Sequence, residues 1–455
     1  MSIRKSHLIL GAFLPGSGRH VAAWRYPGAR PDGVLNFPHY WRLAQKAERG
    51  RFDMIFVEDG VALHDCNREP DELSRSGHSQ PVRFEPLTLL SALSVVTERI
   101  GLVATASPIH NEPYHVARQF ASLDYLSEGR AGWNVLTSGH DVELKNINDR
   151  VHPEQATRYE RTKEFMHVVS KLWDSWDDDA FPRDKKSGMY FNPKKLHPLE
   201  HNGKHFSVRG PLNVARSPQG HPVIVHTDSS DVGQELAAQY AEVLLTAQQT
   251  LAEAQTFYGA TKEKAIQYGR SPDDIKIMPG IFPIIGESEQ EAREKYEELQ
   301  ELVDSQSGLA LLSELMGGVD LSTYPLDGPL PTLSEANAAR SRLKLLTDLA
   351  GKENRTIRQL FMSLAGPRGH RMILGTPAQI ADQMEDWFTN GGADGFNVMP
   401  PYLPGSLDEF VEQVVPILQQ RGLVRTEYEG RTLREHLGLR RPINRFTRAD
   451  EFTSA

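Results

Sequence analysis

The sequence predicts an α/β protein built as a (β/α)8 barrel of TIM type with insertions, and three observations predict it. About eight short apolar runs alternate with segments of helical periodicity along the chain. The first of them, residues 7–13, is almost continuously apolar, the pattern of a parallel strand covered on both faces. Polar residues stand where several runs end, at Asp59, Thr105, Asn134 with Thr137 and Ser138, and His226. In a parallel barrel that end of the strands carries function.

Taken in order, the strand at 7–13 is followed by a helix through Tyr40, Leu43 and Ala47 that closes at Gly50. The second strand, 52–57, ends in Glu58-Asp59-Gly60, and a polar insertion covers about 61–84. Pro86 then opens a helix with Leu89, Leu93 and Val96 on one face. The third strand is 100–105, and a helix through His115, Phe120 and Leu123 leads to the fourth, within 129–140. Residues 159–174 make the strongest amphipathic helix, with a stripe of Phe165, Val168, Val169, Leu172 and Trp173. A polar insertion over about 178–220 comes next.

The alternation resumes with strand 222–226, a helix through Leu236 and Ala237, strand 243–245 and a helix through Phe257. Strand 275–285 precedes Ser288 and Glu291, spaced as a capping box. Residues 305 to about 375 break the pattern as mixed helix and loop, which fits a lid better than a second domain. Thr376-Pro377 starts a helix carrying Ile380, Met384 and Trp387, stopped at Asn390-Gly391-Gly392. The last strand is 395–399, and a final helix is expected from Ser406, with Glu409 completing a second capping box. The extension 422–455 is basic and polar and is expected to pack on a neighbour. With no internal repeat and no low-complexity linker, 1–455 reads as one barrel domain.

The totals set limits on function. A chain of 455 residues with 39% hydrophobic and 24% charged residues is ordinary for a globular protein. A net charge of −9 argues against nucleic acid or an anionic membrane as partner. Cys66 is the single cysteine, so no intrachain disulfide forms. The apolar run at 8–14 follows Arg4 and Lys5 but is too short to span a bilayer, and no small-residue cleavage site follows it. It reads as the first strand, and the protein as cytoplasmic. His20, His110, His115, His140 and His152 do not fall at metal-ligand spacing, and HExxH is missing, so no metal site is expected. GxSxG, P-loop and GxGxxG motifs are missing too, which excludes a Rossmann-type nicotinamide site.

The polar strand ends carry the functional candidates, each with a plainer reading beside it. Asn134 sits in a strand that disfavours asparagine and must find partners, either in the fold or on a ligand. Asp59-Gly60 is also a common turn pair. Thr105 and Ser107 are placed to cap the next helix. Asp228-Ser229-Ser230 lies between a strand and a helix, where hydroxyls and backbone N–H groups form an anion site or simply an N-cap.

A set of motifs then matches a known family. They are His20-Val21-Ala22-Ala23-Trp24-Arg25, Glu58-Asp59-Gly60, Pro113-Tyr114-His115-Val116-Ala117-Arg118, Trp133-Asn134-Val135-Leu136-Thr137-Ser138 and Arg158-Tyr159-Glu160-Arg161. Further on come Arg209-Gly210-Pro211-Leu212-Asn213-Val214, Arg216-Ser217-Pro218-Gln219-Gly220, the run from Gly395 to Ser406, and Arg434-Glu435-His436-Leu437-Gly438-Leu439. In these the chain resembles the bacterial-luciferase-like flavin monooxygenases, in the branch of nitrilotriacetate, dibenzothiophene-sulfone and dimethyl-sulfide monooxygenases.

The resemblance implies a barrel that binds reduced FMN at the C-terminal strand ends. It places FMN contacts on Asp59, Thr105, Asn134, Thr137, Tyr159 and Ser230, with Ser229 beside the phosphate. Gln155 stands where the family usually has histidine, and its amide can still hydrogen-bond. Asp228 stands where the family usually has glycine. The resemblance further implies a two-component monooxygenase that takes FMNH2 from a separate NADH:FMN reductase and uses O2 to oxygenate a small sulfur- or nitrogen-containing substrate. His20 and His226 are the candidate catalytic residues, with Trp24 also on the substrate side, and a homodimer or homotetramer is expected. The alternatives are a deazaflavin-dependent oxidoreductase of the same superfamily and a flavin-binding protein without turnover. A glycosidase using Glu58 and Asp59 is disfavoured, because adjacent strand residues face opposite ways.

Overall fold

The computed structural model describes residues 7–62, 82–137, 143, 146–147, 155–227, 230–316, 319–331 and 355–447. The strands of its main sheet are β1 (Ile9–Phe13), β2 (Met54–Val57), β3 (Gly101–Ala106), β4 (Ala131–Val135), β5 (Val223–His226), β6 (Val243–Thr246), β7 (Lys276–Ile285), β8 (Arg371–Gly375) and β9 (Gly395–Val398). Neighbours pair in parallel in the order β9-β1-β2-β3-β4-β5-β6-β7, and β7 returns to β9, closing an eight-strand barrel. The expected barrel is therefore present. One strand was not expected: β8 lies inside the stretch read as helix and loop and pairs Arg371 to Gly375 with Ile281 to Ile285. It has one short apolar core, Met-Ile-Leu, and exists because the ten-residue β7 extends past the barrel and offers it an edge.

The helices are α1 (Phe37–Arg49), α2 (Pro86–Ser94), α3 (Pro113–Leu126), α4 (Gln155–Trp173), α5 (Asp231–Tyr240), α6 (Leu251–Gln267), α7 (Glu289–Glu301), α8 (Ser305–Leu315), α9 (Ile357–Leu364), α10 (Pro377–Thr389), α11 (Gly405–Glu409), α12 (Val415–Gln420) and α13 (Leu433–His436). Their apolar stripes cover the outside of the barrel. Ala131, Trp133 and Val135 of β4 turn outward to join the α4 stripe in one core. Trp133 lies 5.8, 5.9 and 6.2 Å from the rings of Phe120, Phe165 and Trp173, and its indole N–H donates to the Ala106 carbonyl at 2.9 Å. Alternation then sends Gly132 and Asn134 inward.

A second core, with Ile9, Phe13, Met54, Phe56, Val103, Val223, Val225, Val243, Leu245, Met278 and Met399, occupies the alternating inward positions. Leu433, Leu437 and Leu439 belong to it. The described part of the C-terminal extension thus packs into the floor of its own barrel, where Leu433 meets Gly101 and Gly132. Its leucines are spaced for this, but the surrounding arginines hide them in composition. Arg434 anchors the plug, donating to the Glu242 carboxylate at 2.9 Å, while its backbone N–H meets Gln219 Oε1 at 3.0 Å.

The second expected capping box also differs. Ser406 lies inside the first turn of α11, its hydroxyl hydrogen-bonded to both backbone groups of Tyr402, while Glu409 faces Lys295 at 3.5 Å. Pro404 holds the N-cap without a side-chain bond. At α7 only half of the box forms: Ser288 accepts from the Glu291 N–H, but the Glu291 carboxylate takes the Glu287 N–H. In the excursion, α8 and α9 share a core of Leu311, Leu312, Leu360 and Phe361 with Val21 and Ala365, and 332–354 lies outside the described residues. Among the described residues no helix is long and apolar enough to cross a membrane.

Candidate functional site

The site is built from the register of β2 to β5. Thr105, Asn134 and Val225 are partners across β3, β4 and β5, so their side chains share one level and one face at the top of the barrel interior. Thr105 Oγ1 donates to the Val57 carbonyl at 3.1 Å. Having given its one proton away, it must accept from Asn134, and the Asn134 Nδ2 group donates to it at 3.0 Å. That chain fixes the amide orientation and turns Oδ1 of Asn134 away. Asn134 is 2% exposed, and its Oδ1 has no hydrogen-bond partner among the described residues. A buried, unmatched carbonyl oxygen costs about 1–3 kcal/mol and fits the N–H of a bound molecule.

Thr105 therefore does not cap the next helix. Ser107 caps only a turn, accepting from the Ile109 N–H at 3.2 Å, and α3 starts at Pro113 without a side-chain cap. Asp59 follows β2 and accepts the Gly60 N–H at 2.8 Å, so its turn role is real. Burial raises its carboxyl above the usual range, and Glu85 and Glu58 push the same way. Thr137 is buried just past the end of β4. Tyr159 on α4 and Ser230 at the start of α5 approach each other, 3.4 Å between hydroxyl oxygens, and Ser230 is the N-cap that accepts from the Gly233 N–H at 3.1 Å. Ser138, Asp228 and Ser229 lie outside the described residues, as does the side chain of Gln155 at the start of α4.

The two histidines have different settings. His20 is buried, and its Nδ1 accepts the Ala22 N–H at 3.1 Å, which leaves the ring proton on Nε2. Burial, with the positive charge of Arg368, pushes its pKa down to about 3. It packs near Phe282, ring centroids 6.5 Å apart, on the β7 side of the barrel. In a ring of eight strands β7 lies opposite β3, so His20 faces the Thr105 wall from across the mouth. His226 is the last residue of β5, and alternation turns it away from Val225 and Asn134; its Nδ1 rests on the Val135 carbonyl at 2.9 Å. The structure thus sets Thr105 and Asn134 together, brings Tyr159 to Ser230, and leaves His226 on another face. Trp24 is 40% exposed in a short turn, Ala23–Arg25.

Two residues not singled out from sequence also reach the mouth. Arg19 lies over the ring of Phe13, 5.1 Å from its centroid, and 3.7 Å from the Glu58 carboxylate. His370 leans over the interior at Gly280, where a Cβ would collide with its Nδ1 and with Met399. Gly280 is thus required by a close approach. The only sequence signal for His370 was its place beside a strand that sequence reasoning did not find.

Comparison with known proteins extends these observations. The family model described as luciferase-like monooxygenase matches residues 19–395. An N-acetyl-S-(2-succino)cysteine monooxygenase of Bacillus subtilis is 51% identical over 98% of this chain and 100% of its own length. Nitrilotriacetate monooxygenase component A of Aminobacter aminovorans is 50% identical, covering 96% of this chain and 97% of its own. Among solved structures, DmoA from Hyphomicrobium sulfonivorans superposes with a TM-score of 0.85 at 31% identity, over 95% of this chain and 92% of that one. By sequence over nearly its whole length and by its barrel, the chain belongs to the luciferase-like monooxygenases.

Proposed function

We propose that the protein is the oxygenating component of a two-component monooxygenase that uses reduced FMN from a separate NADH:FMN reductase, and O2, on a small sulfur- or nitrogen-containing substrate. The observation that carries this reading is the buried, unmatched Oδ1 of Asn134 at the functional end of the barrel. Family membership supports it, and so does the word "component" in the name of the nitrilotriacetate relative. When bound, the flavin supplies the electrons with which O2 is activated.

The chain's own residues hold and enclose the cofactor in this proposal. Asn134 offers Oδ1 to an N–H of the flavin ring, and Thr105 keeps the amide turned the right way. Tyr159, Ser230 and Ser229 take the phosphate at the start of α5, where free backbone N–H groups favour an anion. Asp59, Thr137 and Gln155 complete the contacts that the family resemblance implies. His20, neutral and with Nδ1 already engaged, acts toward substrate as an N–H donor and not as a base. His226, on the other face of β5, is the second candidate toward substrate. The part of the excursion that carries α8 and α9 covers the mouth and excludes water in this proposal. The active form is a homodimer or homotetramer.

The test supplies FMN, a flavin reductase, NADH and isotopically labelled O2 with a panel of thioethers, sulfones and amines. Bound reduced FMN and labelled oxygen in the product are expected. Failure to bind reduced FMN sinks the proposal, and binding of a reduced deazaflavin in its place moves it to the related oxidoreductases. Binding without oxygen transfer across the panel leaves a flavin-binding protein without turnover. Asn134→Ala is expected to weaken reduced FMN about tenfold, the loss of one buried hydrogen bond. An unchanged Kd removes Asn134 from the site.

A further inference from the structure

We propose that Gln300 is a positioning residue for His20, holding the one N–H the imidazole can give and tying its direction to the seat of α9. This role rests on the monooxygenase reading above, in which His20 acts toward substrate. Gln300 stands at the end of α7, and the segment that follows His20 packs on that end. Arg25 Nη1 donates to the Leu302 carbonyl, and Ala23 shares a core with Leu299. His20 also meets the turn after α9, where the Val21 N–H donates to the Ala365 carbonyl at 2.9 Å. A Cβ on Gly366 would come within 3.1 Å of the His20 ring and closer still to Phe282, so glycine is required there by close approach.

The neighbours of Gln300 fix which way its amide faces. Its Nε2 donates to the Met362 carbonyl of α9 at 3.0 Å and to the Tyr296 hydroxyl one turn back. A carbonyl can only accept, so the nitrogen must face Met362 and Oε1 must point elsewhere. That oxygen is buried, and so is Nε2 of His20, which carries the ring proton because Nδ1 is taken by the Ala22 N–H. Neither atom has a partner at full hydrogen-bond geometry among the described residues. Their contact is a loose one, felt as the influence that raises the His20 pKa against burial and the charge of Arg368. Hydrogen bonds in unliganded sites are often long and tighten when the site fills.

The result is a chain of donors: the Ala22 N–H to Nδ1, Nε2–H to Gln300 Oε1, and Gln300 Nε2–H to the Met362 carbonyl. Thr105 turns the Asn134 amide by the same means. Here, though, the last acceptor belongs to α9. With α9 seated, the amide can offer only its oxygen to His20. With α9 lifted, the amide is free to rotate and set its own N–H against that of the ring, where neither can accept. The cover that excludes water thus also aims the donor. A neutral amide is a weaker acceptor than a charged oxygen, so a polar oxygen of the substrate can take the proton over on arrival.

The experiment follows His20 by NMR in the full-length protein with isotopically labelled histidine, its signals assigned by their loss in His20→Asn. In the wild type a neutral ring with a slowly exchanging Nε2–H is expected. Gln300→Leu removes the acceptor, and that N–H is expected to exchange with water about tenfold faster or more. Gln300→Glu keeps an acceptor and adds a negative charge, so the His20 pKa is expected to rise by about one unit or more. A side chain that only filled space would produce neither change. Reduced FMN affinity, measured separately by flavin fluorescence, is expected to stay within about twofold in both variants. Unchanged His20 signals in both variants overturn the proposal, as does a shared loss of FMN affinity, which would make Gln300 a general support of the mouth. If neither variant folds, the wild type decides: a His20 Nε2–H in fast exchange with water is not held by Gln300. Failure of the wild type to bind reduced FMN overturns the cofactor reading and the role toward substrate, while the same spectra still read the His20 contact.

Discussion

Thr105 spends its single hydroxyl proton on the Val57 carbonyl, and the orientation of the Asn134 amide follows from that. The oxygen becomes an acceptor, the Asn134 amide nitrogen turns to it, and the amide oxygen is left without a hydrogen-bond partner among the described residues. Thr105→Val keeps the shape and removes the acceptor. The buried Nδ2 of Asn134 then loses its partner, and about 1–3 kcal/mol of stability is expected to go with it. The freed amide no longer points one way, so reduced FMN is expected to bind several-fold more weakly. A denaturant titration and a flavin titration read the two effects separately, and an unchanged Kd would mean that Thr105 orients nothing. His20 shows the same economy of donors, its Nδ1 occupied by the Ala22 N–H and only Nε2–H left to give.

Helix starts show how far local chemistry decides an element. At α10, Thr376 accepts the Gln379 N–H at 3.3 Å and the Gln379 side chain accepts the Thr376 N–H at 2.8 Å, with Pro377 at the first helical position. All three residues act within four positions, so the sequence shows the helix start directly. Thr376→Ala is expected to cost about 1 kcal/mol in urea unfolding with no change in flavin affinity, since the cap lies outside the site. At α11 the same letters, Ser406 and Glu409, mislead. There the chain arrives through Tyr402 and Pro404, and the serine hydroxyl bonds back to Tyr402 instead of capping. β8 is the opposite case, an element with a weak local pattern that a long neighbour calls into being.

At the scale of the molecule, the barrel is closed below by its own C-terminal extension and tied to the 178–220 segment by buried charge. Asp174 is the hub: its carboxylate meets Arg216 at 3.1 Å, His221 at 2.8 Å and Arg445 at 3.0 Å. Burial alone would raise this carboxyl, but hydrogen bonds and charge from His221, Arg445 and Arg216 hold it well below the usual range. A depressed native pKa contributes stability that is full above the unfolded value of about 4 and is lost as the pH falls below it. Asp174→Asn removes the buried one of the two carboxylates that face the wholly buried Arg216, the other being the half-exposed Asp178 at 3.1 Å, and is expected to cost about 3–5 kcal/mol near neutral pH. The gap between variant and wild type should narrow below about pH 4, as the carboxyl takes up its proton in the unfolded chain while the native one stays ionised. Urea titrations across that range check it; a constant gap would show that Asp174 acts by packing.

Much of this was legible in the sequence, for a physical reason. Apolar runs, helical stripes and caps act over a few residues, so the eight barrel strands and the start of α10 could be read one at a time. Asn134 stood out because an amide in a strand is locally costly. Which partners it has is another matter, since Thr105 and Val57 reach it only through strand register. The same limit hid Arg19 and His370, ordinary polar residues until the backbone of 365 and 400–401 brings their segments together. It also hid the seat of the C-terminal extension, whose leucines find the barrel floor more than 300 residues away in the chain from Gly101 and Gly132. By itself the sequence determined the alternation that makes a barrel and the polar groups available at its rim. Only tertiary structure decided which of those groups face one another, because contact across a closed sheet depends on register and ring order, which no local pattern contains.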